Sequence, residues 1–168
     1  ETAIKSTLSA IGRNIEMYIW IKTAMSLLVA GLSYVILLMA GVDFAAFWAL
    51  LIFILNYIPY IGSIVAVAFP VVLSILQFGS PGLTGLVLTG LMAAQVIVGN
   101  VVEPRITGTS LNLSPVIIVL ALSVWGSIWG VTGMILSVPI MVMAMIVLAQ
   151  FPRTKALAVL MSQSGEIK

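Results

Sequence analysis

The 168 residues are 62% hydrophobic and 7% charged, whereas soluble domains run at about 45–50% and 25%. Histidine and cysteine are absent, which excludes Ser-His-Asp and Cys-His catalysis, thiolate zinc sites and His- or Cys-ligated haem; an enzyme is disfavoured and no cofactor is implied. The net charge of +2 is better explained by membrane topology than by a nucleic-acid partner.

The chain starts at Glu1 without an initiator methionine or a signal-like segment, which reads as part of a longer protein. Residues 1–19 read as an amphipathic helix on the cytoplasmic side: Ile4, Leu8, Ile11, Ile15, Tyr18 and Ile19 recur at helical intervals among Lys5, Arg13 and Glu16. That helix leads into a first span over 20–40, where Lys22 near the mouth is expected to snorkel to the headgroups. Gly41-Val42-Asp43 is a tight turn.

From Phe44 to Gln77 no side chain is charged, but Asn56-Tyr-Ile-Pro59-Tyr-Ile-Gly62 interrupts the block and leaves segments 44–58 and 61–77. At 1.5 Å per residue they cover only about 22–26 Å of a roughly 30 Å hydrocarbon core, so they are short tilted spans or a re-entrant hairpin. Pro70 predicts a kink in the second, and Phe78-Gly-Ser-Pro-Gly82 is a turn. A full-length span over 83–102 follows, with a charged loop at Glu103-Pro-Arg-Ile-Thr-Gly108.

Pro115 to Gln150 is uncharged over about twice the roughly 18 residues that read as a membrane helix, and Trp125-Gly-Ser-Ile-Trp-Gly130 breaks it. It therefore reads as two segments, 115–128 and 131–151, before a short mixed tail over 152–168. The expected fold class is an all-α integral membrane protein, a polytopic helical bundle with Pro/Gly-interrupted short or re-entrant hairpins. Its transmembrane domain, 20–151, holds about six hydrophobic segments. Basic residues at the N-terminal segment, at Arg105 and at Arg153 and Lys155 place both termini and the charged loop in the cytoplasm, with even numbers of crossings between them.

Few polar groups enter the apolar blocks. Asp43, Glu103 and Arg105 lie at span ends, as interfacial anchors or a loop salt bridge on one reading and as functional charges on the other. Asn100 and Glu103 share a helical face, which Gln95 joins only if the helix is irregular. Asn56, Gln95 and Asn100 either contact a polar solute or join helices to each other. Gly126 and Gly130 have the spacing of a close helix contact, which makes a homo-oligomer plausible; Trp125 and Trp129 are belt residues or line a solute path. Paired mid-block interruptions are a pointer to a transporter's binding site, and with no carboxylate deep in a block a neutral polar solute fits better than a proton or a metal ion.

Taken together, Asn56-Tyr-Ile-Pro59-Tyr-Ile-Gly62, Val98-Gly-Asn100-Val-Val-Glu103-Pro104-Arg105, Leu111-Asn-Leu-Ser114-Pro115, Trp125-Gly126-Ser-Ile-Trp129-Gly130-Val-Thr-Gly133 and Val138-Pro139 resemble the AI-2E family of bacterial inner-membrane transporters. The resemblance implies a multi-pass permease about twice this length, with the named residues as candidate site positions and a small polar solute such as autoinducer-2 and the lipid bilayer as partners. Some members are described as sodium or lithium ion/proton antiporters, which supplies an alternative with Glu103 as the exchanging carboxylate. A third reading, of another class, is an oligomeric membrane scaffold subunit.

Overall fold

The computed structural model describes residues 2–107 and 112–165. Expectations that fall on Glu1, Gly108, Leu111 and the end of the tail, 166–168, lie outside the described residues, as do the side chains of Ile4, Lys5, Leu8 and Ile11. The elements are α1 (Thr2–Ala40), α2 (Ala45–Leu55), α3 (Ile61–Phe78), α4 (Pro81–Ile97), a π-helical turn (Val98–Val102), α5 (Glu103–Thr107), α6 (Pro115–Gln150) and α7 (Lys155–Met161), with no strand among the described residues. Among the described residues four stretches are helical, long and apolar enough to cross a membrane: Ile15–Ala40, Ile61–Phe78, Pro81–Ile106 and Pro115–Gln150. Large apolar side chains such as Trp20, Met39, Phe44, Leu76 and Leu86 point outward, an arrangement that water penalises and lipid tails accept.

The chain divides into two compact units, Trp20–Gly108 and Glu1–Ile19 with Thr109–Lys168, with α1 passing from the second into the first. Within Trp20–Gly108, α1 stops at Gly41, whose φ of 73° lets the Gly41 and Val42 N–H groups turn back to the Leu38 and Leu37 carbonyls at 3.1 and 2.9 Å. Val42 and Leu37 are both buried in the same apolar cluster, the contact that accompanies this type of helix end. The turn is then tied to α3 through Gln77, which accepts from the Asp43 N–H at 2.9 Å and donates to the Gly41 carbonyl at 2.9 Å. Gly79, at φ 56°, closes α3 by donating to Ile75, and Pro81 opens α4 at a position where its missing N–H costs nothing. Val29, Leu37, Ile52, Ala66, Val87, Leu91 and Val98 from all four helices form one core. The helix α3 is continuous through Pro70, which is buried.

Of the segment read as a charged loop, Glu103–Thr107 is helical. Pro104 has no N–H for the Asn100 carbonyl and its ring would crowd that carbonyl, so the preceding turn widens: the Glu103 N–H bonds Val98, five residues back. Helix continues through this turn into α5 rather than stopping at Glu103.

In the other unit, α6 folds back on itself at Gly130, where φ 60° and ψ −138° break the helical backbone. The proof is the approach of residues eight apart. A Cβ on Gly133 would overlap the Trp125 carbonyl, and one on Gly126 would stand 2.9 Å from Met134 Cε, whereas eight residues of straight helix separate groups by about 12 Å. Within the tail, α7 packs Ala158 and Met161 onto a cluster with Val138, Val142 and Met145. Behind it the chain returns to the start of α6, with Ser114 N–H donating to Met161 at 2.9 Å, and Gln163 and Ser164 N–H donating to the Asn112 carbonyl and side chain at 2.9 and 3.0 Å.

Candidate functional site

The unit Trp20–Gly108 gathers the polar side chains that an apolar bundle would otherwise avoid. On α1, Lys22, Ser26, Val29, Ser33 and Leu37 recur at intervals of four, three, four and four residues, and all are buried. Three polar groups thus share the inward stripe of a helix whose other inward residues are apolar. Lys22, far from snorkelling outward, is only 8% exposed and its Nζ contacts the Glu103 carboxylate at 3.1 and 3.4 Å across 81 residues of sequence. A buried ammonium is tolerable only when paired in this way, so the salt bridge of Glu103 runs to the first helix rather than within its own segment.

Next to this pair, Thr23 Oγ1 and Tyr57 Oη are 2.7 Å apart, and one turn further along Asn56 Nδ2 donates to Ser26 Oγ at 3.0 Å. Asn56 is buried and caps α2 by donating its backbone N–H to Ile52. Lys22, Thr23 and Ser26 therefore fix the end of α2 and the start of α5 against α1. None of the three was singled out as a site position by sequence reasoning; the recurrence of Lys22, Ser26 and Ser33 on one helical face is the signal that finds Lys22 and Ser26. The wide turn at Val98–Val102 also separates two residues expected on one face. Glu103 turns inward, half-buried, whereas Asn100 is exposed, as are Pro104 and Arg105.

The turn between α2 and α3 is strained at Tyr60. Its φ of 59° and ψ of −60° put it at the centre of a γ-turn closed by the Ile61 N–H to Pro59 carbonyl bond at 2.7 Å, a conformation that costs a non-glycine residue about 1–3 kcal/mol. Gly62 follows, and a Cβ there would overlap the Leu55 carbonyl. Glycine at residue 60 is expected to raise the melting temperature of the detergent-solubilised protein, by relief of about 1 kcal/mol of this strain; an unchanged or lower value in a thermal melt would show that Tyr60 carries no strain.

The unit that contains α6 has a hairpin of the same local kind. Gly130 takes the positive φ, Gly133 packs on the Trp125 carbonyl, and Gly126 lies against Met134, so the Gly126–Gly130 spacing serves the hairpin's own contact. Trp125 and Trp129 stack at 5.2 Å between centroids, with Trp129 more than half exposed at the hairpin tip. Ser114 is half-buried and Pro115 exposed at the start of α6, and Pro139 is buried in its second arm. Among the described residues no group of three or more acidic side chains assembles into a metal site.

The apolar helical scaffold is that of a membrane protein, and the chain belongs to the AI-2E transporter family, whose model matches residues 1–153. It is 39% identical over 158 residues to the AI-2 transport protein TqsA of Escherichia coli K12, an alignment that covers 92% of this chain and 46% of that protein. It is 38% identical over 151 residues to a protein of Haemophilus influenzae provisionally named as a transport protein (90% and 43% covered), and 33% identical over 165 residues to one of Borreliella burgdorferi named in the same way (97% and 45%). The chain spans about half the length of the curated relatives it matches.

Proposed function

We propose that the chain is part of an inner-membrane exporter of a small, neutral, hydroxyl-bearing signal molecule, autoinducer-2. The observation that carries this reading is the buried polar stripe of α1 with its partners Asn56 and Glu103, in a chain 39% identical to an AI-2 transport protein. The charged residue of that stripe, Lys22, is paired with Glu103 of α5, which suits a neutral solute; what remains are hydroxyl and amide groups able to exchange hydrogen bonds with it. The hairpin turns at Tyr60 and Gly130 add irregular backbone of the kind transporters use at their binding sites. In this reading 20–151 is the membrane domain, 1–19 and 152–168 are cytoplasmic, and the hairpins span or dip into the bilayer.

Asn56, bonded to the stripe, is the expected solute contact there; Asn100, exposed on the π-helical turn, is the second contact the sequence motif proposes. In cells lacking the full-length protein, intracellular autoinducer-2 should rise at the expense of the extracellular pool. Wild type should reverse this, whereas Asn56→Ala and Asn100→Ala, inserted at normal levels, should restore it only in part. Equal pools in deleted and restored cells would refute the reading.

A second reading, cation/proton exchange at Glu103, is favoured by one observation: Glu103 is a half-buried carboxylate adjoining a π-helical turn, a feature frequent at functional sites. An entering cation would have to displace Lys22. The third reading, a scaffold that assembles through Gly126 and Gly130, competes with the use of both glycines inside the α6 hairpin.

A further inference from the structure

Among the described residues of Trp20–Gly108, two buried side-chain atoms have no hydrogen-bond partner: Ser33 Oγ and Gln95 Nε2. Ser33 is wholly buried, between Val29 and Leu37 on the inward stripe of α1. A helical serine ordinarily satisfies itself on a carbonyl of the preceding turn, as Thr89, Ser123 and Ser137 do here at 2.7–3.0 Å; Ser33 does not. Gln95 flanks the buried stripe of α4, Val87, Leu91, Ala94 and Val98, and its amide nitrogen is covered.

The helix register puts these two residues at nearly the same level. Lys22 meets Glu103, and a Cβ on Gly90 would be 3.0 Å from Ile36, so α1 and α4 run antiparallel with residue numbers that sum to 125 (22 + 103) and 126 (36 + 90). On that register Ser33 is level with about residue 93 and Gln95 with about residue 31, so the two sit within one 5.4 Å turn of each other along the pair. Val29, Leu37, Leu91 and Val98, which bracket them, belong to a single apolar cluster. Each unpaired group in such surroundings destabilises the fold, a cost that a bound hydrogen-bonding molecule removes.

We infer that Ser33 and Gln95 form a binding subsite for a neutral oxygen-rich solute in the middle of the α1–α4 pair. The chemistry sets the class. Ser33 supplies a donor and acceptor and Gln95 an amide donor, which together match a hydroxyl or carbonyl oxygen. The Lys22–Glu103 pair is eleven residues, or about 16 Å, away along α1, so an ion at this layer would have no countercharge. The subsite rests on the transport reading above and names the residues that would hold its solute.

The test uses the full-length protein in proteoliposomes with autoinducer-2 as the probe. Ser33→Ala should raise KM about fivefold and Ser33→Ala with Gln95→Leu more than tenfold, the loss of one and two neutral hydrogen bonds, with maximal rate and melting temperature retained. Autoinducer-2 should also slow maleimide labelling of Ser33→Cys relative to the same variant without the solute. Wild-type transport with an unchanged KM in both variants and no protection would overturn the subsite while leaving the transport reading intact; absence of wild-type transport would overturn the transport reading itself. A fall in melting temperature with KM unchanged would mean that both groups are partnered elsewhere in the protein, and would also overturn it.

Discussion

Gly133→Ala is expected to disrupt the α6 hairpin outright. The new methyl would overlap the Trp125 carbonyl, and the neighbour is backbone rather than a flexible side chain, so it cannot step aside without opening the turn at Gly130. Overpacking of cores typically costs about 1–3 kcal/mol when side chains can adjust, and a rigid carbonyl puts this substitution at or above the upper end, about 3 kcal/mol or more. Gly62→Ala meets the Leu55 carbonyl in the same way and should behave alike. The control is Gly85→Ala, whose added methyl meets nothing within 4 Å and which improves helix propensity by up to about 1 kcal/mol. Thermal melts of the purified proteins in detergent check this: Gly133→Ala and Gly62→Ala should lose most of the folded fraction or melt far lower, with Gly85→Ala at or above wild type. A wild-type melt for Gly133→Ala would mean that α6 does not reverse at Gly130.

The second large effect is expected at Glu103. Glutamine there removes the counter-charge of Lys22, and breaking a wholly buried pair costs about 3–5 kcal/mol. Because the Glu103 side chain is 26% exposed, water offsets part of this, leaving about 2–4 kcal/mol. The decisive variant is the double one. Lys22→Met with Glu103→Gln leaves no buried charge, so stability should return to near wild type, as buried ion pairs replaced by apolar groups are often neutral or better. If the pair is structural, autoinducer-2 export returns with stability. If Glu103 exchanges cations, pH-dependent sodium movement in vesicles stays lost in the stable double variant, and that result would favour the antiport reading.

The helical membrane class was legible in the residues because composition alone decides it: uncharged blocks longer than a bilayer is thick have few stable forms besides helices. What escaped was mostly a matter of distance along the chain. Lys22 looked like an interfacial anchor because position relative to the apolar block was all that could be read; its partner is 81 residues away and is reached only through the antiparallel register of α1 and α4. Glu103–Thr107 looked like a loop because charge, proline and glycine cluster there, yet one wide turn lets helix continue past Pro104. The same turn moved Asn100 outward, which no regular periodicity shows. Ser33 passed unnoticed since serine is unremarkable in membrane helices, and only burial without a partner singles it out. For Gly133, the sequence had the motif but not the carbonyl that requires glycine.

Efflux from proteoliposomes preloaded with autoinducer-2 and containing the purified full-length protein is the most direct test of transport. The account predicts release well above protein-free liposomes, equal for wild type and the Lys22→Met, Glu103→Gln double variant, and reduced at limiting solute by Ser33→Ala. Folded, inserted protein that releases autoinducer-2 no faster than empty liposomes would contradict it.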